Sequence, residues 1–278
     1  MVVHRFFAPS LDPGDETVAL PNDEADHLTR VLRLSTGDTV AVFDGRGNEF
    51  LACVVAGERR RDVRVRLLSR VVPAAEPVVP ITLVQAVLKG DKMDEVVRDA
   101  VMLGVAAVHP IVTRRSETTV AAVIRGSRLD RWRRVALASV KQSRRAMLPE
   151  IRIPLGLEDF LAEPPASLRL MLVEPPSLPG PGEPLRRLGP SSPSEPAPQP
   201  GRPEQLWSEV ESIGALRREP VPADAAVLVG PEGGWTEEER TLAVERSVRL
   251  VTLGPRTLRA DAVPVAAISV LQFLWNDL

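Results

Sequence analysis

The residues best placed to do chemistry lie near the carboxyl end, in two segments with one design: an apolar strand, a tight turn, then a helix. Residues 225–230 run AAVLVG into Pro231, Glu232, Gly233 and Gly234, followed by WTEEE. Residues 249–254 run RLVTLG into Pro255, Arg256, Thr257, Leu258 and Arg259, followed by ADAVP. A glycine ending a buried strand lets a ligand approach the backbone closely. Two such turns, one helix apart, can face each other across a crevice of an α/β sheet, which is where open α/β sheets bind ligands.

The turn chemistry narrows the ligand. Gly230, Gly233 and Gly234 fit neither the dinucleotide spacing G-x-G-x-x-G nor the P-loop, which ends in Gly-Lys-Ser/Thr. Thr236 and Glu239 have capping-box spacing, and Glu237 and Glu238 add carboxylates to the first helical turn. That acidic start repels phosphate and suits a neutral or cationic ligand read by backbone groups. S-adenosylmethionine, with a sulfonium and no phosphate, meets the description. A pair of ordinary strand-to-helix turns would have the same composition.

The elements that must position these turns follow from patterning. Residues 1–72 read as short strands about one helix. TVAVFDG and NEFLACVV form a hairpin about Gly-Arg-Gly-Asn, and DVRVRLLSRV sets Val63 and Val65 against Arg64 and Arg66. Residues 22–34 form a short helix with Leu28, Val31 and Leu32 on one side. This density of short strands predicts a small β-barrel. PAAEPVVP, residues 73–80, is a proline-rich linker and domain boundary. From Ile81 to residue 278, the runs ITLVQAVL, AAVHPIV, LRLMLVE, AAVLVG and RLVTLG alternate with helices centred on 91–103, 129–145, 204–218, 236–247 and 262–275. That alternation predicts a parallel sheet covered on both faces. Residues 175–203 interrupt it with eleven prolines and four glycines, which predicts a flexible insertion.

The chain has 278 residues and a net charge of −2, so any attraction to nucleic acid must be local. Two basic clusters supply it. Arg59, Arg60, Arg61, Arg64 and Arg66 lie on the predicted barrel, with Arg30 and Arg33 beside them. Lys141, Gln142, Arg144 and Arg145 end the middle helix, and Lys89 and Arg115 are further candidate RNA contacts. Tyrosine is absent, so phosphate contact and shape reading are expected rather than extensive stacking. The single cysteine, Cys53, excludes an intrachain disulfide and reads as a small buried hydrophobe. Three histidines without ligand spacing predict no metal site. MVVHRFFAPS has no signal-peptide pattern, and residues 262–275 are too short to cross a bilayer, so a cytoplasmic protein is expected.

An ordered set of motifs covers almost the whole chain: His27-Leu-x-Arg-Val-Leu-Arg33, Phe43-Asp-Gly-x-Gly47, Lys89-Gly-Asp-Lys-Met93, Leu103-Gly-Val105, Gln142-Ser-x-Arg145 with Pro149, Leu228-Val-Gly-Pro-Glu-Gly-Gly234 and Leu253-Gly-Pro-x-x-Leu-Arg259. In this set the sequence resembles the 16S ribosomal RNA uridine-N3 methyltransferases, ribosomal small subunit methyltransferase E, a branch of the SPOUT superfamily. Ala260-Asp-Ala-Val263 departs from the usual Thr-Glu-Thr-Ala. The resemblance implies a PUA-like barrel for RNA, an α/β SPOUT domain with a deep trefoil knot, and a homodimer formed through that domain. It also implies S-adenosylmethionine held by loops after strands ending near Val173 with Glu174, near Gly230 and near Leu253. These loops contribute Pro231, Glu232, Gly233, Gly234, Gly254, Pro255, Thr257 and Leu258.

Methylation of uridine N3 in 16S ribosomal RNA of the small subunit requires loss of a weakly acidic proton and stabilisation of the resulting anion. Arg259, at a helix start beside the second turn, is the candidate stabiliser. Asp261 is the candidate base, and also a plausible dipole partner or salt-bridge acceptor. A SPOUT enzyme acting on a ribose or another base, and a non-catalytic RNA-binding protein, are the alternatives.

Overall fold

The computed structural model describes residues 3–55, 63–175 and 210–277. The amino-terminal sheet contains β1 (Arg5–Phe7), β2 (Thr17–Ala19), β3 (Thr39–Phe43), β4 (Glu49–Val55) and β5 (Arg64–Val71), in the order β1-β3-β4-β5-β2. All pairs are antiparallel except β1 with β3. The β3–β4 hairpin forms where the sequence places it, for a local reason. The Asp44 carboxylate accepts the N–H groups of Arg46 at 2.7 Å and Asn48 at 3.0 Å, while Gly45 and Gly47 take φ of 78° and 99°. Phe6, Leu28, Val40, Val42 and Val65 close its core. Helix α1 (Asn22–Asp26) widens into a π turn over His27–Val31, and Leu28 is buried in that core.

The second sheet is parallel at every pairing, as continuous apolar strands require. Its strands are β6 (Ile81–Ala86), β7 (Ala107–Val112), β8 (Glu150–Ile151), β9 (Leu155–Gly156), β10 (Leu168–Leu172), β11 (Glu211–Ser212), β12 (Ala225–Val229) and β13 (Arg249–Thr252). They run β11-β13-β10-β12-β6-β7-β8, with β9 also on β7. The helices are α2 (Lys92–Met102), α3 (Val120–Arg125), α4 (Arg128–Ser143), α5 (Leu157–Ala162), α6 (Glu237–Glu245) and α7 (Val263–Leu274). Alternate residues of each strand serve opposite faces. Leu83, Leu170 and Val227 share a core with residues of α2, α4 and α7, whereas Val84, Met171 and Leu228 share one with residues of α5 and α6.

One expected helix is corrected. Residues 204–209 lie outside the described residues, and what remains of 204–218 is the edge strand β11 and a 3-10 helix over Ile213–Arg218. Ile213 and Leu216, the buried pair, are three residues apart, which suits the 3-10 repeat. Ser212 caps the turn by accepting the Gly214 N–H. The short helices α3 and α5 were not anticipated, since six residues give too few repeats for a periodicity to show. The insertion 175–203 lies outside the described residues apart from Pro175.

The two sheets meet at the carboxyl end of α4, and this revises the second basic cluster. Arg5 pairs with Glu49 and donates to the carbonyls of Val140 and Lys141, each at 2.9 Å, and of Arg145 at 2.8 Å. Lys141 pairs with the buried Glu24 carboxylate of α1. Arg145 is buried, with contacts to Glu76 at 2.5 Å and to the carbonyls of Val101 and Val105. Lys141 and Arg145 therefore belong to a joint and not to an RNA-facing surface; burial of a guanidinium is tolerable only with this many acceptors. Gln142 and Arg144 remain exposed. Arg145→Ala should lower stability by about 2 kcal/mol, below the cost for a fully buried pair because Glu76 is partly solvated. Denaturant midpoints check this, and a change under about 0.5 kcal/mol would contradict the assignment.

Candidate functional site

Three strands adjacent in space, β12, β10 and β13, deliver their carboxyl ends to one cleft of about 390 Å³. The two turns singled out in the sequence flank the end of β10, so the segment Val173–Glu174 lies between them. Val173, Glu174, Gly230, Pro231, Glu232, Gly234, Leu253, Thr257 and Leu258 line the cleft. Gly233, Gly254 and Pro255 belong to the same turns but do not line it. Gly234 and Gly254 take φ of 69° and 107°, the left-handed region that favours glycine.

Trp235 is the main element that the strand pattern did not reveal. Its buried indole donates from Nε1 to the Leu172 carbonyl at 2.8 Å, and its ring lies where a Gly230 Cβ would approach to 3.1 Å. A side chain at 230 would therefore press on the tryptophan packed over it. Leu172, Val229, Arg240, Arg256, Ala260 and Val263 also line the cleft. An aromatic directly after a glycine pair was the one signal in the sequence that could have found Trp235.

The acidic helix start forms as its spacing predicts. The Thr236 side chain accepts the Glu239 N–H while Glu239 accepts the Thr236 N–H, and the other Glu239 oxygen takes the Arg114 N–H at 2.8 Å. This last bond ties the loop after β7 to α6. Arg115 in the same loop donates to the Gly233 carbonyl at 2.5 Å and lines the cleft. Across the mouth, Glu232 accepts from Lys92 Nζ at 2.9 Å and from the Lys89 N–H at 3.3 Å. Burial pushes the Glu232 carboxyl up, but Lys92 and the backbone donors outweigh it and hold the group below the usual carboxylate range. The cleft lining thus includes Glu174, Glu232 and Glu237 together with Arg115, Arg240 and Arg256. Carboxylates and guanidinium groups together suit a ligand bearing both signs of charge.

Arg259 and Asp261 sit beside the cleft and not in its lining. Arg259 donates from Nε and Nη2 to the two Asp261 oxygens at 3.0 and 2.9 Å, and its side chain is 74% exposed against 16% for Asp261. Burial pushes the Asp261 carboxyl up, yet Arg259 and the more distant Lys92 hold it below the usual range. A carboxylate held this way accepts a proton less readily than a free aspartate.

The remaining candidate RNA contacts are dispersed. Arg30 is exposed and pairs with Asp26 one helical turn away, Arg33 is exposed at a φ of 55°, and Lys89 pairs with Glu117 at 2.6 Å. Arg64 donates to Thr17 on the edge strand β2, whereas Arg66 is exposed. Arg59, Arg60 and Arg61 lie outside the described residues. Cys53 is half-buried on β4. Among the described residues, no cluster of histidine, cysteine, aspartate and glutamate could hold a metal ion, and no helix is long and apolar enough to cross a membrane.

A curled amino-terminal sheet joined to a parallel α/β domain whose cleft lies at the ends of β12, β10 and β13 defines a class, the RNA methyltransferases with a PUA domain. Residues 74–184 and 204–272 match the RNA methyltransferase domain, and residues 20–68 match the RNA methyltransferase PUA domain. The chain belongs to the ribosomal RNA small subunit methyltransferase E family. It is 30% identical to that protein from Synechocystis over 95% of this chain and 75% of the relative, and 26% identical to that from Aquifex aeolicus over 97% and 99%. The family's Neisseria gonorrhoeae member, solved bound to S-adenosylmethionine, superposes with a TM-score of 0.76 at 28% identity, covering 99% of this chain and 98% of that one. A Legionella pneumophila protein solved with the same cofactor gives 0.76 at 26% identity, covering 98% of each chain.

Proposed function

We propose that this protein methylates N3 of a uridine in 16S ribosomal RNA of the small subunit, using S-adenosylmethionine, and works in the cytoplasm. The observation that carries this reading is the cleft where the turns after β12 and β13 flank Val173–Glu174, in a chain aligned over its length with cofactor-bound family members. The cleft fits the cofactor. Gly230, Gly234 and Leu253 offer backbone groups, the mixed carboxylates and guanidinium groups suit its amino-acid end, and no phosphate need be accommodated. Bound there, S-adenosylmethionine supplies an electrophilic methyl group.

The chain's own residues must orient the base, exclude water and favour loss of its N3 proton. Arg259 is the proposed stabiliser of charge on the uracil oxygens. Asp261 orients Arg259 through both oxygens, a role that its lowered pKa suits better than that of base. Mass mapping of modified nucleosides in 16S RNA from a deletion strain, with purified protein added back, tests the reading. N3-methyluridine that disappears and returns supports it; a ribose-methylated or other product overturns the base and position assigned.

The same reading assigns residues 1–72 to a PUA-like RNA-binding domain, 73–80 to the linker and 81–278 to the SPOUT domain with its trefoil knot. It also includes a homodimer through α7. Ile268, an interface candidate by composition, is fully buried within the chain, so a charge there would report on folding alone. The outward-facing apolar residue is instead Phe273, 65% exposed, with half-buried Ala266 and Val270 on the preceding turns of the helix. Phe273→Asp should convert the dimer to folded monomers at micromolar concentration by light scattering. A variant that stays dimeric would remove this face from the interface.

A further inference from the structure

We infer that the phosphodiester backbone of the RNA substrate crosses an arginine-rich rim formed by the loop after β7 and the α3–α4 junction, beside the cleft. Residues 113–134 hold seven arginines and no lysine against two carboxylates, in a chain whose net charge is −2. The structure brings this segment to the mouth. Arg115 holds the Gly233 carbonyl, the Arg114 N–H is taken by Glu239, and Arg128 Nη1 lies 3.4 Å from the Thr118 hydroxyl, so the loop straps the cofactor turn to the start of α4.

Part of the charge on this rim is committed within the fold, since Arg114, Arg131 and Arg133 pair with carboxylates and Arg115 holds a carbonyl, but three arginines are left over. Among the described residues, Arg125, Arg128 and Arg134 are exposed and pair with no carboxylate. Arg128 stands at the first position of α4, where the helix dipole disfavours a cation. Its neighbour Arg131 is held there by Asp91 and Asp94 of α2, whereas Arg128 has no such compensation. At the other end of α4 the reverse holds, because Lys141 and Arg145 are consumed by Glu24 and Glu76. Guanidinium groups suit phosphate through their paired donors. With Trp132 buried and no exposed aromatic on the segment, stacking of bases is not offered. Arg134 and Gln142 lie on one exposed stripe of α4, which runs from the rim towards the amino-terminal sheet.

The inference rests on the proposed RNA methyltransferase activity, and the test separates the two. Binding of 16S RNA to the full chain is measured across salt for the wild type, for Arg125→Ala/Arg128→Ala/Arg134→Ala, and for Lys141→Gln. The triple variant should bind S-adenosylmethionine as the wild type does, while its log–log salt slope shallows by about 2, from about 0.7 per lost phosphate contact. Lys141→Gln should keep the wild-type slope. A folded triple variant with the wild-type slope and methylation rate overturns the inference while leaving the function intact. Loss of binding to assembled subunits with an unchanged slope on naked RNA would also overturn it, by giving the rim to a protein. A wild-type chain that neither binds nor methylates the RNA would instead sink the proposed function.

Discussion

Gly230→Val is expected to weaken S-adenosylmethionine binding about a hundredfold while leaving the chain folded. The added Cβ would meet the Trp235 indole at 3.1 Å, and the larger valine would displace a ring whose Nε1 is committed to the Leu172 carbonyl. Leu172, Gly230 and Trp235 all line the cleft, so the ring cannot shift without moving its wall. Overpacking of this kind costs about 1–3 kcal/mol. The free protein relieves it by displacing the ring, and binding that needs the ring back in place bears that cost together with about 1 kcal/mol for a lost backbone hydrogen bond, about a hundredfold in Kd. Gly234→Val acts differently: its nearest neighbour would be Glu174 at 3.6 Å, so the penalty is the left-handed φ of 69° and not a clash. Calorimetry on both variants distinguishes the two causes. A Gly230→Val protein with wild-type affinity would remove the Trp235 wall from the binding site.

The comparison of these two glycines also shows how far the sequence could be read. Gly230 and Gly234 were visible as the ends of a strand and a turn, because glycine spacing and the capping pair Thr236–Glu239 are local signals. Strand alternation likewise exposed the parallel sheet, since buried strands read as unbroken apolar runs. The identity of the residues packed over the turn was not legible. Trp235 finds Leu172 across a separation of 63 residues, and Arg115 finds Gly233 across 118. The role of a cation is hidden in the sequence for the same reason. Arg145 and Arg128 look alike in the sequence, but one is buried against Glu76 and the other is exposed without a carboxylate partner among the described residues. Local patterning announces elements, whereas long-range pairing decides whether a cation is structural or available to a ligand.

That distinction governs Arg259. A structural role would rest on its ion pair with Asp261, but the Arg259 side chain is 74% exposed, and such pairs contribute only about 0–1 kcal/mol. Its removal should therefore barely move the melting temperature. Both donors used in the pair, Nε and Nη2, leave Nη1 unassigned, and neighbouring Leu258 and Ala260 line the cleft. The pair with Asp261 thus leaves Nη1 of the guanidinium beside the cleft available to a substrate oxygen, as the proposed role in stabilising charge on uracil requires. Arg259→Ala is expected to lower kcat by about 10²-fold or more, with S-adenosylmethionine affinity and melting temperature nearly unchanged. Arg259→Lys should recover only part of the rate, since a single ammonium cannot hold Asp261 through two bonds and reach the base as well. Asp261→Asn, which keeps the shape and removes the charge, should reduce kcat less than Arg259→Ala if Asp261 orients the arginine. An equal or larger loss, together with a shift of the acidic limb of the pH–rate profile, would identify Asp261 as the base. Normal single-turnover methylation by folded Arg259→Ala would transfer the anion-stabilising role to another cation at the mouth, and Lys92, paired with Glu232 and within electrostatic reach of Asp261, is the side chain placed to take it.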